Sequence, residues 1–505
     1  MAPTRKRRRL CSELALKTSL ESGLYPEFLG AEGPAENHDP ESNSALDYLL
    51  LLWPESLTSH IATETNRYAR QRNRVNWVDV TVEEIWTFFG ILVLMGIHRL
   101  PRVRNYWSTD RLLGLEPIQQ SMSLNRFWAI WSNLHVVDND TIPPGGVGPS
   151  RKIKPIVDVL NQTFLKQYSP GQELAIDESM VKYKGHCKGK VRMPKKPIKL
   201  GYKVWCCSCS CCGYLCTFQF YDGRPVDIAT GEKLPEKGLV KRVVTDLLLP
   251  FVGTNHVVYC DNFYTSGPLV DMLAKDEIFI VGSIQRRAAG FPDSLRTVAP
   301  PKGSYVSESV DGKQYFVFND RKLVSFVTNV FPETMNSKVF RLQPEGVLRE
   351  QSVPPLLPAY NKYMGAVDLT DQLMRTYGFD RKSKRCWLRP FLFCFDVSTN
   401  NAHILYKHNC KRCGVKPKDL LGFRLELARL LLQFGSSSKA QSSVNKGKAQ
   451  DVSVCCLSRV SDIGLKRGRC HQCIKMKRKR HTSFGCSVCK IRLCKIRCFQ
   501  EYHNM

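Results

Sequence analysis

Residues 257–266, VVYCDNFYTS, place an acid directly behind a buried strand. Two valines, a tyrosine and a cysteine in succession are typical of a strand that is covered on both faces. Asp261 follows them, and a carboxylate at the end of a buried strand costs free energy unless something binds it. Acids are also the minority charge, since the chain has 74 Lys and Arg against 46 Asp and Glu. We therefore expect Asp261 to bind a cation.

The flanking sequence predicts an α/β domain around this strand. Upstream, ELAIDESMVKY (173–183) has the pattern of a second strand, and Asp177 follows its apolar start. Residues 201–223, GYKVWCCSCSCCGYLCTFQFYDG, predict a hairpin that turns near Gly213, and residues 239–252, LVKRVVTDLLLPFV, predict a helix. A strand, a hairpin, a helix and a strand in this order are the plan of an RNase H-like α/β domain.

A third acidic position lies in YNKYMGAVDLTDQLMRTY, residues 360–377. Asp368 and Asp371 are three residues apart, so on a helix they share one face, and Gly365 is a plausible helix boundary just before them. Two acids behind strands and one at a helix start can converge if the strands are neighbours. Converging carboxylates repel one another and need a cation, and Mg²⁺ or Mn²⁺ bound through oxygens fits that need. Two such ions support phosphodiester chemistry.

The charge of the chain predicts a polyanionic partner. A formal net charge of +28 favours nucleic acid first and an anionic membrane second, and the longest apolar run, 85–97, is too short to span a bilayer. Two basic stretches follow the acids, and the first, 182–203, holds nine Lys or Arg and no acid. We expect both to bind DNA phosphates without reading sequence. The residues concerned are Lys182, Lys184, Lys188, Lys190, Arg192, Lys195, Lys196 and Lys199, and then Arg381, Lys382, Lys384 and Arg385.

The cysteine spacing of the C-terminal tail predicts zinc. The chain has 21 cysteines and no pattern of a secreted protein, so metal ligands or buried thiols are expected before disulfides. Two CxxC pairs, 470–473 and 486–489, lie 12 residues apart, and further ligands allow two interleaved zinc sites whose partition the spacing leaves open. The predicted ligands are Cys470, Cys473, His481, Cys486, Cys489, Cys494, Cys498 and His503, with His471 in reserve. The basic tail, including Lys477 and Arg478, is read as a DNA-binding finger, with a protein-interaction module as the alternative. We interpret the cysteines of 206–212 as small buried thiols.

Four stretches together resemble the piggyBac-type DNA transposases and their domesticated relatives. They are IDESMVKYKGH, YCDNFYTS, YNKYMGAVDLTDQL and RKSKRCWLRPF, in the order of the family. The resemblance implies an RNase H-like catalytic core with an inserted domain, a helical dimerisation and DNA-binding domain split around that core, and a C-terminal zinc module. It carries the catalytic aspartates onto Asp177, Asp261 and Asp368, and Asp371 matches a further acid of the motif.

These inferences divide the chain into six parts. Residues 1–44 are predicted to be disordered. The split helical domain takes 45–170 with 375–433, and the RNase H-like domain takes 171–289 with 356–374. A β-rich inserted module is expected at 290–355, a linker at 434–452 and the cysteine-rich zinc domain at 453–505.

The sequence therefore predicts a metal-dependent cut-and-paste transposase. By resemblance, it acts as a homodimer on double-stranded DNA, passes the excised ends through hairpins and inserts them at TTAA. The alternative is a domesticated nuclear protein that keeps the fold and the DNA binding in a regulatory role. The basic run RKRRR, 5–9, is read as a nuclear address or as a solvated tail.

Overall fold

The fold is described from a computed structural model of the 505-residue chain. It describes residues 25–142, 150–187, 189–194, 196–223, 238–334, 337–342, 348–379, 381, 383–444, 457–476, 478–487, 489–494 and 497–503. Two compact units divide the chain near residue 436, and each is described by itself. None of the described helices combines the length and the apolar character that crossing a membrane requires.

A mixed sheet of nine strands forms the centre of the first unit. Eight strands follow one another across the sheet, and the ninth, Leu215–Phe220, pairs with Leu200–Cys209. Their order is Val191–Arg192, Leu200–Cys209, Glu173–Lys182, Val257–Cys260, Phe279–Ser283, Leu323–Thr328, Lys313–Asn319 and Tyr305–Val310. Among the described strands of this sheet, the three that begin at Glu173, Val257 and Phe279 run parallel to one another, and all other neighbouring pairs are antiparallel. The sequence-based prediction of the hairpin is confirmed, and Gly213 has the positive φ of 76° that its turn requires.

Helices cover the sheet and extend beyond it. In the first unit they are Ala45–Leu52, Glu55–Gln71, Val82–Ile97, Glu116–Ser121, Leu124–Asn133, Lys154–Gln167, Leu239–Leu248, Gly267–Lys275, Asp293–Arg296, Leu357–Tyr363, Ala366–Tyr377, Leu388–Arg412 and Leu420–Val444. Thr81 caps the third of them through a capping box with Glu84. Helices from both ends of this unit share one core, in which the ring centroids of Phe89 and Phe395 lie 4.2 Å apart. The helical segments on either side of the sheet therefore pack on each other.

Three segments differ from or refine the sequence-based boundaries. The predicted disorder up to residue 44 is wrong for 25–44, because Tyr25 is buried and its hydroxyl lies 3.2 Å from that of Tyr259. Residues 1–24 lie outside the described part. The helix that starts at Leu420 continues through the first half of the predicted linker. The segment 290–355 supplies three strands of the main sheet and a separate hairpin, Ser337–Leu342 with Leu348–Val353.

The second unit is small and is built around sulfur atoms. Its described elements are the strands Leu457–Arg459, Gly468–Arg469, His481–Thr482 and Phe484–Cys486 and the helices His471–Lys475 and Arg497–His503. The buried cluster at its centre consists of five cysteines and Leu493. A unit with so little apolar core needs another source of stability.

Candidate active site

The register of the sheet brings Asp177 and Asp261 to the same level. The parallel pairing of their strands ends at Ile176 and Cys260, and one acid follows each of these residues. The expectation that Asp177 ends its strand is wrong, because the strand continues to Lys182 by antiparallel pairing with Leu200–Cys209. Only the parallel pairing with the strand of Asp261 stops there. Both carboxylates therefore lie at the position where the parallel ladder ends.

The helix Ala366–Tyr377 adds the other two predicted acids. It packs against the strand of Asp177 and accepts a short hydrogen bond there, from the Ser179 hydroxyl to the Asp371 carboxylate. The Arg375 guanidinium lies 3.3 Å from the same carboxylate. Asp368 is exposed in the first turn of this helix. All four predicted acids therefore belong to one region, with Asp371 tied to the sheet and Asp368 open to solvent.

A lysine ammonium occupies the middle of this acidic region. Lys196 Nζ lies 2.9 Å from Asp177 Oδ2, 3.1 Å from the carbonyl oxygen of Glu178 and 3.4 Å from Glu178 Oε1. Burial lowers the pKa of Lys196, but the Asp177, Glu178 and Asp368 carboxylates outweigh burial and raise it overall. Lys196, which the sequence suggested as a phosphate ligand, is therefore the counter-ion of the acids in this structure.

Three of these carboxyl groups resist ionisation. Burial raises the pKa of Asp177 to about 7 despite the neighbouring ammonium, and Glu178 adds to the increase. Burial also raises the pKa of Asp261, against the hydrogen bond that its carboxylate accepts from the Phe263 N–H. The same cause raises the pKa of Asp371. Buried carboxyl groups with raised pKa values gain most from an added cation.

The donor set suits a hard divalent ion, although the acids are not drawn together around a point. Within the described ranges, the only group of three or more His, Cys, Asp or Glu side chains with all donor atoms within 4.8 Å is the cysteine cluster of the tail. The acids supply carboxylate oxygens, which Mg²⁺ and Mn²⁺ prefer, and an ammonium already holds the position of a cation beside Asp177. The residues present therefore fit such an ion.

Glu178 and Lys203 form a second charged layer that sequence reasoning missed. Glu178 accepts a 2.9 Å hydrogen bond from the Tyr264 hydroxyl and lies 3.5 Å from Lys203 Nζ. Burial favours its protonated form, but the ammoniums of Lys203 and Lys196 lower its pKa overall. The position of Glu178 directly after Asp177 was the available signal. Its pairing with Lys203 could not be predicted without the structure, because the hairpin places Lys203 on the neighbouring strand.

The two basic stretches differ in what their side chains contact. Lys182, Lys184, Arg192, Lys199 and Lys384 are exposed, Lys190 donates to the Gly185 carbonyl oxygen at 2.7 Å, and Lys188, Lys195, Lys382 and Lys477 lie outside the described residues. Arg478 of the tail is exposed. The Arg381 guanidinium donates to the carbonyl oxygens of Leu100 and Met95, at 2.8 and 3.0 Å.

Arg385 makes similar backbone contacts and has little freedom for a phosphate. Its guanidinium donates to the carbonyl oxygen of Leu134 at 3.0 Å and closely to that of Trp131. Burial lowers its pKa to about 10. Both guanidiniums join structural elements of the protein itself, and the DNA-binding role of Arg381 and Arg385 stays a prediction.

Four tail cysteines form a cluster that can bind a metal ion. The sulfur atoms of Cys470, Cys473, Cys494 and Cys498 all lie within 4.8 Å of one another, and all four residues are buried. Burial raises the pKa of Cys470, but the backbone N–H groups of Cys473 and Cys494 contribute to lowering it overall. Four thiols in this arrangement are the donor set of a structural zinc site. These ligands enclose the 486–489 pair in the sequence, as an interleaved arrangement requires.

The other predicted zinc ligands whose side chains are described do not belong to the group of four sulfur atoms within 4.8 Å of one another, although Cys486 is part of the same buried cluster. Cys486 is buried, Cys489 is exposed, and the Cys489 N–H donates to the Cys486 sulfur at 3.3 Å. His481 is exposed on its short strand, and the side chain of His503 is outside the described part. The hairpin thiols of Cys206, Cys207 and Cys209 are buried, whereas Cys211 is exposed.

Comparisons with known proteins agree with this geometry. The family model described as Transposase IS4 matches residues 44–403. Human PiggyBac transposable element-derived protein 3 is 27% identical over 99% of this chain and 83% of its own length, and human PiggyBac transposable element-derived protein 2 is 27% identical over 90% and 75%. A cryo-EM structure of a piggyBac transposase synaptic complex with hairpin DNA superposes with a TM-score of 0.69 at 22% identity, covering 92% of this chain and 98% of that chain. This chain therefore belongs to the Transposase IS4 family, and its resemblance to piggyBac-type transposases and their derived proteins is confirmed.

Proposed function

We propose that this protein is a metal-dependent DNA transposase that cuts and joins DNA with Asp177, Asp261 and Asp368. The observation that carries the proposal is the register of the parallel strands, which puts Asp177 and Asp261 side by side at the end of their ladder. The order of strands around them, with an antiparallel hairpin on one side and two parallel strands on the other, supports an RNase H-like core.

The residues of this chain would share the work as follows. Asp177, Asp261 and Asp368 would hold Mg²⁺ or Mn²⁺ through their carboxylate oxygens, and Asp371, which accepts a hydrogen bond from Ser179, would hold the helix of Asp368 against the strand of Asp177. When bound, two such ions activate a water or a 3′-hydroxyl and stabilise the leaving oxygen. Lys196 balances the carboxylates, and Glu178 keeps both Lys196 and Lys203 in place. The burial of Asp177 and the half-buried position of Asp261 limit competing water at these two acids.

DNA is the substrate that the charge of the chain supports. Exposed lysines of the first basic stretch follow the strand of Asp177, and the solved relative was captured with hairpin DNA. We therefore propose that double-stranded DNA ends are cleaved and inserted at TTAA, by a homodimer formed through the helical segments. The cysteine cluster would hold Zn²⁺ and support end recognition, and a DNA-acting enzyme of this kind would work in the nucleus.

A domesticated DNA-binding protein is the second candidate. The curated human relatives are named as transposable element-derived proteins, which favours it. It would keep the same fold and phosphate contacts with little or no strand cleavage.

Strand cleavage by the purified full chain tests the choice between these functions. Supercoiled plasmid that carries TTAA sites should be nicked in Mg²⁺ or Mn²⁺, and the Asp261→Asn variant should bind DNA without nicking it. The exposed Asp158, which pairs with Lys154 at 2.6 Å, supplies the matched control, and Asp158→Asn should nick like the wild type. DNA binding without any cleavage by the wild type would favour the domesticated protein. Cleavage that survives in Asp261→Asn would exclude the proposed site.

A further inference from the structure

We propose that Phe263 is a stacking platform for an unpaired nucleobase next to the acidic site. The proposal rests on the proposed function, because it takes DNA as the substrate. It assigns base binding to a residue that is neither one of the predicted catalytic acids nor part of the two basic stretches.

The position of Phe263 is fixed relative to a predicted catalytic acid. Its backbone N–H donates to Asp261 Oδ1 at 2.8 Å, so the ring and the carboxylate belong to one rigid turn. The side chain is 43% exposed, although the turn follows a fully buried strand. A DNA strand that is cleaved at Asp261 would therefore pass close to residue 263.

One face of the ring is already occupied inside the protein. Lys203 Nζ lies 4.1 Å from the ring centroid, and Lys203 is itself only 8% exposed. The ring of Tyr264 meets Phe263 edge to face, at 5.0 Å between centroids and 85° between planes. A buried ammonium on one side and a perpendicular ring at the edge hold Phe263 in place, so its exposed area belongs to the opposite face.

An unpaired base is the ligand that this surface suits. A flat aromatic face stacks on any base, and the basic stretch 182–203, to which Lys203 belongs, favours a polyanion over an apolar protein segment. Lys203 places an ammonium against the ring, whereas a protein-binding patch would need a larger apolar surface. Paired bases are already stacked on both faces, so only a base outside the duplex can use the ring.

The test uses DNA with an unpaired fluorescent base. The probe is a duplex with a short single-stranded TTAA overhang in which 2-aminopurine replaces one adenine, and a fully paired duplex of the same sequence is the reference. Stacking on an aromatic ring quenches 2-aminopurine. The full-length wild type, free of added Mg²⁺ or Mn²⁺, should quench the overhang probe and bind it more tightly than the paired duplex.

Two substitutions of Phe263 distinguish stacking by an aromatic ring from the mere presence of a large apolar side chain. Phe263→Leu keeps an apolar side chain and should lose the quenching, with affinity for the overhang probe falling about 5- to 100-fold, since stacking contributes about that much per base. Its affinity for the paired duplex should stay within about twofold, because that DNA offers no base to stack. Phe263→Trp should keep the quenching. Because the side chain is exposed, both variants should unfold at the wild-type temperature.

The control is Phe340→Leu, which removes another exposed aromatic ring, 50% exposed on the hairpin that starts at Ser337. It should bind and quench like the wild type. Quenching that persists in Phe263→Leu, or that Phe340→Leu reduces equally, would overturn the platform. A wild type that binds neither probe would instead refute the DNA-directed function, so the two failures are distinguishable.

Discussion

Asp177→Asn should make the protein more stable while it abolishes cleavage. Asp177 lies in the middle of a buried strand, and its charge is costly there even beside Lys196. Asparagine has the same shape without the charge. The variant should therefore unfold at higher denaturant concentration in buffer without Mg²⁺ or Mn²⁺, although one of the proposed metal ligands is lost.

The magnitude follows from the pKa of this carboxyl group. Its ordinary value of 3.8 is raised to about 7 in the folded protein, so the folded state holds the proton more tightly than the unfolded state does. Stability from this group is greatest below pH 4 and falls as the pH rises towards 7. Above pH 7 the cost is up to about 4 kcal/mol, from about 1.4 kcal/mol for each pKa unit. Since Lys196 loses its partner in the variant, we expect a net gain of about 2 kcal/mol at pH 8.

Urea unfolding at pH 5 and pH 8 measures this effect. The gain of Asp177→Asn over the wild type should be about 3 kcal/mol larger at pH 8 than at pH 5, because only the wild type carries this titrating group. Asp158→Asn, at an exposed pair with Lys154, should change the free energy of unfolding by less than about 0.5 kcal/mol at both pH values. A variant that is less stable than the wild type at pH 8, or a gain that does not depend on pH, would refute the reasoning.

Three further predictions concern the counter-ion, the zinc cluster and the DNA contacts. Lys196→Met should lower the free energy of unfolding by about 3 kcal/mol near pH 8, because it leaves the carboxylates of Asp177 and Glu178 uncompensated. Added Mn²⁺ should restore part of this loss, and an absence of rescue by Mn²⁺ in thermal unfolding would contradict a shared cation position. Cys494→Ser should remove one zinc per chain by metal analysis, whereas Ser at the exposed Cys413 should leave the zinc content unchanged. Replacing Lys184 and Lys199 by Gln should weaken binding to all DNA sequences alike and reduce the log–log salt dependence by up to about 0.9 per lost phosphate contact, and a change in sequence preference instead would speak against phosphate binding.

The sequence predicted the strands and the helix of the acidic site better than it predicted which side chains surround the acids. Strands, hairpin and helix were recognisable because each has its own apolar period, and both strand acids follow short apolar runs. The central position of Lys196 was not recognisable from the sequence. A long side chain in a loop can reach many partners, and only the folded register selects one of them. For the same reason, the sequence could not distinguish Lys184 from Arg385. Both are basic residues in basic stretches, but Lys184 is exposed, whereas the Arg385 guanidinium donates to backbone carbonyl oxygens.

The two candidate metal centres depend on their ions in different ways. The acidic site carries its own cation, because Lys196 pairs with Asp177 and Glu178, and a core of aromatic and aliphatic side chains surrounds it. Its fold therefore does not require Mg²⁺ or Mn²⁺. In the tail, the buried cluster is made of the thiols themselves and Leu493, and a group of closely packed thiols has no cohesion of its own comparable to an apolar core. We therefore predict that the tail needs zinc to fold, whereas the acidic site needs its divalent ion for chemistry alone.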